Sequence, residues 1–467
     1  MAGLIIDIIK KLLISLLIVS ALGKVFDQLL TFGESELQSL VVLTFYVYCA
    51  LSLFLASDHK LFHVIALPFF TQFIHLFQRY SFEGGANSIW RLLPFVLLCI
   101  YFIHFFTLKT NALTYSEKWF LVFWIVFNVF FLAISPNLGN ILYGGFLLFL
   151  VILPFYFTYL ATVSKAIDFS KSLEMYFFLL YIILSTGTFG LVVAGASYKG
   201  SENLLATRNI TDTNVTMAYF ILLWPLVLLF CASSRYYILL ILSCIVIFAS
   251  IVLISFSRGA VMLITPYLLV STAMIIGQAR FWTILIIGLF GGLYFANVTD
   301  AMKDWDMTYF WTLRFGDIFT TGSVLTKLQE TSGRSEIHAI AYNLFQISPI
   351  YGHGIASFEV LGPGYREAHS LFYTLLAEQG LIGLICIYGM YFSLIATLFQ
   401  VVTLNLDYAV LLIGLLFYLI FNHTVGSVFV ILPAKSVTVT CIAPMLLLCL
   451  YFYGKNVRMF AVTNSTG

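Results

Sequence analysis

The stretch YYILLILSCIVIFASIVLISF, Tyr236 to Phe256, holds no charged side chain and is bounded by Arg235 before it and Arg258 shortly after it. A helix needs about 20 apolar residues to cross a bilayer, so this run predicts a membrane span. Comparable runs fall at about 4–22, 37–56, 60–78, 91–108, 119–135, 141–163, 174–195, 214–232, 260–277, 281–297, 380–402, 408–430 and 438–454. The expected fold is an all-α polytopic membrane protein of about 12–14 transmembrane helices, since each such run is near the length of one crossing.

Composition agrees with this pattern. Of 467 residues, 61% are hydrophobic and 9% charged, and the mean hydropathy is +1.01. Soluble domains carry about 25% charged residues. No water-soluble fold has interior enough for so much apolar surface, and disordered chains are polar. A soluble multidomain enzyme and a disordered chain are both excluded. The net charge of +2 is the small remainder of 23 basic and 21 acidic groups and implies no nucleic-acid partner. Cys49, Cys99, Cys231, Cys244, Cys386, Cys441 and Cys449 lie in apolar runs, without metal-ligand spacing, and read as small core hydrophobes. Lys10 and Lys11 followed by apolar residues resemble a signal peptide, but no clean small-x-small site follows, so the segment reads as a retained first helix.

Lysine and arginine then orient the chain. With the N-terminus cytoplasmic, eight of the 13 lysines fall inside and seven of the ten arginines outside. Inner lysines are what orientation requires. Outer arginines run against it, and arginine is the better bidentate partner for phosphate. This points either to an anionic ligand handled on the outer face or to a few loop salt bridges.

Residues 298–379 form the large polar piece, between N-terminal spans (1–297) and C-terminal spans (380–467). About a third of all the charges sit in this fifth of the chain, with His338, His353 and His369. Long loops are usually functional, so it is expected to be an outer catalytic loop with short helices. Ser332-Gly333-Arg334 opens a helix on which Ile337, Ile340, Ala341 and Leu344 recur at helical spacing, and Pro349 ends it. Tyr351-Gly352-His353-Gly354 and Gly362-Pro363-Gly364-Tyr365 are turns.

Counting crossings places Arg208, Arg258, Arg334 and His369 on one side of the membrane. Arg258, between apolar runs, would cost about 2.5–3.5 kcal/mol at the bilayer centre. It reads as a snorkelling anchor or as a phosphate clamp, with Ser257, Gly259 and Ala260 leaving room for a ligand. Glu378 is a candidate base or ion-pair partner. His59, His63, His75 and His104 receive no role, and His423 reads as a packed histidine. HExxH, P-loop and GxGxxG patterns are absent, and Asp304-Trp305-Asp306 is too common a triplet to define a metal site.

Taken in order, Ser257-Arg258-Gly259-Ala260, Ser332-Gly333-Arg334, Pro349-Ile350-Tyr351-Gly352-His353-Gly354 and His369-Ser370-Leu371-Phe372 running into Glu378-Gln379-Gly380-Leu381-Ile382-Gly383 form a set. Arg208 to Asn214, with Ala218-Tyr219 and Trp224-Pro225, precedes it. This set, over roughly 200–400, resembles the O-antigen ligase and O-antigen polymerase superfamily of bacterial envelopes. Ser370 is a departure, since many members carry Asn there. The resemblance implies a GT-C-type glycosyltransferase of lipopolysaccharide and polysaccharide biosynthesis, multi-pass in the inner membrane, with its active site facing the periplasm. Its donor would be an undecaprenyl-diphosphate-linked glycan, with no metal and no cofactor. A polymerase passes the glycan to a second lipid-linked repeat unit, and a ligase passes it to lipid A-core. Richness in Phe and Tyr leans the reading to polymerase, which also implies a chain-length regulator as partner. Membrane lipid surrounds the polyprenyl tail. A lipid-linked oligosaccharide flippase is the alternative of another class. Arg258 and Arg334 would bind the diphosphate, with His369 or Glu378 as base. Arg208, Asn214, Gly352, His353, Gly354, Arg314 and Arg366 would contact substrate.

Overall fold

The computed structural model describes residues 1–22, 36–74, 89–108, 113–137, 141–193, 196–199, 208–254, 258–277, 334–365, 367–425 and 436–465. The described residues are almost wholly helical. Among the described residues, five helices are long and apolar enough to cross a membrane: Tyr115–Ala133, Gly145–Val163, Phe169–Gly190, Leu371–Val402 and Leu406–Thr424. Shorter apolar helices accompany them, among them Tyr237–Val252, the core of the opening stretch. The expected first span is a helix, Ala2–Ala21, but Asp7, Lys10 and Lys11 interrupt its apolar character. The expected span at 281–297 lies outside the described residues. The described strands are one short parallel pair, Ala196–Lys199 with Arg208–Asp212.

The chain divides into two compact units. The first comprises Met1–Phe169, Gly354–Ala356 and Phe429–Tyr453. Its helices Lys60–Ile74, Ile89–Leu108 and Leu153–Val163 pack through aromatic rings. Phe102 meets Tyr156 at 5.3 Å and Tyr159 at 5.4 Å, and Phe105 meets Tyr159 at 4.9 Å. Tyr156 Oη donates to the Val64 carbonyl at 2.9 Å, so a fully buried hydroxyl keeps a partner. Ile141–Ile152 is wound as a π-helix directly ahead of Leu153-Pro154, where the proline ring has no N–H to give.

This unit also gathers polar groups that the sequence reading left scattered. Asp7 Oδ2 lies 2.8 Å from Lys11 Nζ, 2.9 Å from His63 Nε2 and 2.9 Å from Ser57 Oγ. Tyr48 Oη lies 3.2 Å from His63 Nδ1. Lys11 and His63 are buried. A buried ammonium is tolerable only when paired and hydrogen-bonded, and Asp7 supplies that pairing from one turn away. The cluster ties the first helix to Glu36–Phe54 and Lys60–Ile74.

The second unit comprises Ser170–His353, Ser357–Val428 and Gly454–Gly467. Helix Thr213–Ala232 is buried nearly all round. Trp224 on it donates to Ser271 Oγ at 3.0 Å, and Tyr267 donates to the Ile221 carbonyl at 3.0 Å. Gly414 lets helix Ala409–Thr424 approach closely, since a Cβ there would lie 2.4 Å from Pro225 Cγ. The cysteines are free, and Cys49, Cys231, Cys244, Cys441 and Cys449 are buried.

Candidate functional site

Helix Arg334–Ile347 forms where the hydrophobic spacing requires it. Ile337 and Ala341 are buried, Ile340 and Leu344 half-buried, and this face packs on Phe358, Ala368, Tyr373 and Ala377. Glu336 stays exposed in the first turn, where a negative charge suits the helix dipole. The packing holds the start of this helix against the start of Leu371–Val402, and the polar cluster forms there.

Arg334 opens the helix. Its guanidinium donates through Nη1 to the Thr424 carbonyl and through Nη2 to the Val425 carbonyl at 3.1 Å. These carbonyls end helix Ala409–Thr424, where a cation is favoured. Burial holds Arg334 below the usual guanidinium range, and the nearby Glu367 carboxylate opposes that shift. A guanidinium carries five N–H donors, so two carbonyls orient it without exhausting it.

His369 sits in the segment that leads into Leu371–Val402, and it is held at φ 52°, a left-handed conformation disfavoured for a residue with a Cβ. Such strain concentrates at functional positions. Its neighbours fix it. Ala368 is buried and its N–H donates to Thr374 Oγ1 at 3.2 Å, while Thr374 N–H donates to the Ser370 carbonyl. His369 Nδ1 lies 3.6 Å from Glu367 Oε1, and its ring is 6.3 Å from that of Tyr365.

His338, one turn after Arg334, stacks on Tyr373 with ring centroids 4.2 Å apart and planes 14° apart. Its protonated form is disfavoured by burial, then by the Arg334 and His369 charges, and a hydrogen bond to the Ala368 backbone opposes them. Arg334, His338, Glu367, His369 and Tyr373 thus form one group. Sequence reading had not singled out His338 or Glu367 as site residues. The spacing Arg334/His338 is i,i+4 on one helix face, which is the signal that was available.

Gly352 and His353 have firm structural partners. Leu371–Val402 is broken at Gly380, with φ 59° and ψ −156°. The turn at 349–353 satisfies the groups this break frees. Leu381 N–H donates to the Pro349 carbonyl at 2.9 Å, and Ile382 N–H to that of Ile350 at 3.0 Å. His353 N–H donates to the Ala377 and Glu378 carbonyls, and His353 Nε2 bonds the Leu344 carbonyl at 3.0 Å. The span expected to open at 380 therefore begins at Leu371, and Gly380 marks its break. Glu378 is buried, with Oε1 accepting from Phe358 N–H at 3.4 Å.

Gly354 belongs to the first unit. There a Cβ would lie 2.5 Å from Ser135 Cα, and Ser135 Oγ donates to the Ile355 carbonyl at 2.6 Å.

Arg208 opens the strand Arg208–Asp212, Asn214 lies in the first turn of Thr213–Ala232, and Arg258 opens Arg258–Ile276, all in the second unit. The side chains of these three lie outside the described residues, as do Arg314, Arg366, Asp304 and Asp306 altogether. Among the described residues no group of His, Cys, Asp and Glu has the geometry to hold a metal ion. No family model and no curated protein matches the chain.

Proposed function

We propose that this chain is a membrane glycosyltransferase of the bacterial inner membrane. It polymerises undecaprenyl-diphosphate-linked repeat units on the periplasmic face. The observation that carries this reading is the grouping of Arg334, Glu367 and His369 at the junction of a polar segment with a long apolar helix. A diphosphate leaves readily once its charge is compensated, and oriented arginines provide that compensation. Arg334 would take one side of the diphosphate and Arg258 the other, with Arg208 in support. His369 would either activate the acceptor hydroxyl or hydrogen-bond the departing phosphate. The polyprenyl tail would lie along the apolar helices.

The ordered motifs from Arg208 to Gly383 support this class over a flippase. A ligase uses the same donor chemistry and passes the glycan to lipid A-core. A deletion strain separates the readings. Loss of a polymerase leaves a single repeat on the core, which is the expected outcome. A bare core with accumulated lipid-linked chains would instead identify a ligase. Normal surface polysaccharide would overturn both.

A further inference from the structure

The group around Arg334 contains two histidines with different surroundings. His369 faces a carboxylate, with Glu367 Oε1 3.6 Å from its Nδ1. His338 faces none. Around its ring are Arg334 on its own helix, Ala368 and His369 on the adjoining segment, and Tyr373 on Leu371–Val402. Glu367 is engaged with Arg334 and His369. Stacking on Tyr373 at 4.2 Å fixes the plane of the His338 ring. His338 Nε2 is buried and has no hydrogen-bond partner among the described residues. A buried polar nitrogen without a partner is costly, and a partner supplied by a substrate removes that cost.

We propose that His338 Nε2 binds the attacking sugar hydroxyl of the acceptor and takes its proton during transfer. This rests on the glycosyltransferase reading and divides the two histidines that it contains. In the step, the acceptor oxygen forms a bond to the donor's anomeric carbon. The bond from that carbon to the diphosphate oxygen breaks, and its electron pair leaves with the diphosphate. The hydroxyl proton passes to His338 Nε2, and the resulting imidazolium releases it as the product leaves. His369, beside Glu367, is then placed to hydrogen-bond the departing phosphate together with Arg334.

A base must be neutral to act. Burial and the neighbouring positive charges favour neutral His338, so its protonation lies below the ordinary value of 6.5. Activity present at neutral pH is therefore expected to fall only as the pH drops below about 6.5.

The test uses the full-length protein in nanodiscs and lipid-linked oligosaccharide extracted from a strain lacking it. His338→Gln keeps a side chain of similar length that cannot accept the proton. It is expected to lower kcat by about 100-fold or more, the usual share of general base catalysis. The KM for the lipid-linked donor should stay near that of wild type, and the acidic limb of the pH–rate profile should flatten. A His338→Gln enzyme keeping more than about a third of the wild-type kcat would overturn the proposal, because base catalysis is worth far more than that. So would a raised donor KM with kcat intact, which marks binding alone. The wild-type pH profile is the second measurement and needs no folded variant. Rates that stay unchanged as the pH falls well below about 6.5, with the protein still folded, would also overturn it, since a histidine base must be deprotonated to act. A wild-type protein that neither builds chain on this substrate nor transfers it to added lipid A-core would instead sink the glycosyltransferase reading itself.

Discussion

Gly352 and Gly380 lie backbone to backbone: a Cβ on Gly380 would sit 2.7 Å from the Gly352 nitrogen, and one on Gly352 would sit 2.5 Å from the Glu378 carbonyl carbon. Both glycines have positive φ, 61° and 59°. Gly380, with ψ −156°, occupies a region that essentially only glycine enters. Replacement of Gly380 by Ala is expected to cost roughly 1–3 kcal/mol from backbone strain alone, with the clash against Ile350 added. Thermal unfolding in detergent measures it, and an unchanged Tm would show that the turn and the broken helix are not tightly joined.

His353 tests whether a motif residue serves fold or substrate. Its ring bonds the Leu344 carbonyl at 3.0 Å and its N–H bonds the broken helix. His353→Ala is expected to lower stability by about 1 kcal/mol, the usual worth of one such hydrogen bond. The donor KM of the folded enzyme should not change. A raised KM at unaltered Tm would return His353 to the substrate contacts expected from the sequence.

Arg334→Lys keeps the charge but cannot reach the Thr424 and Val425 carbonyls and a phosphate together in one planar fork. Chain synthesis is expected to drop by about 10²-fold, as when one oriented donor to a developing anion is removed, and Arg334→Ala should abolish it. Membrane levels of both proteins are checked by immunoblot. Normal chain lengths in the lysine variant would remove the bidentate requirement.

Asp7 neutralises Lys11, whose side chain is 1% exposed, while its own is 19% exposed. Asp7→Asn leaves that ammonium without its counter-charge, and breaking such a buried pair costs roughly 3–5 kcal/mol. The double variant Asp7→Asn with Lys11→Met should recover most of the lost stability. Failure of the second change to rescue would show that Asp7 acts through His63 and Ser57 instead.

Much of the helical architecture was legible because a bilayer imposes a long, local and one-dimensional pattern. Residues 236–256 needed no partner to be read as a helix, and Tyr237–Ile254 is one. The face Ile337, Ile340, Ala341 and Leu344 was legible for the same reason, since helical periodicity is a property of neighbours in sequence. Glu367 and His338 were not, because their meaning depends on which residues meet them from other elements. Asp7 and His63 are 56 positions apart, and nothing local relates them.

The amino-acid sequence by itself determined the helical, apolar class of this protein and the segment where its scarce charges gather. Those properties follow from composition and spacing, which are additive along the chain. The tertiary structure alone decided what the polar turns do. It placed His353 on backbone carbonyls at the Gly380 break, and it set His338 beside Arg334, Glu367 and His369. Burial and hydrogen-bond partnership are pairwise properties of distant residues, so they exist only once the helices have packed.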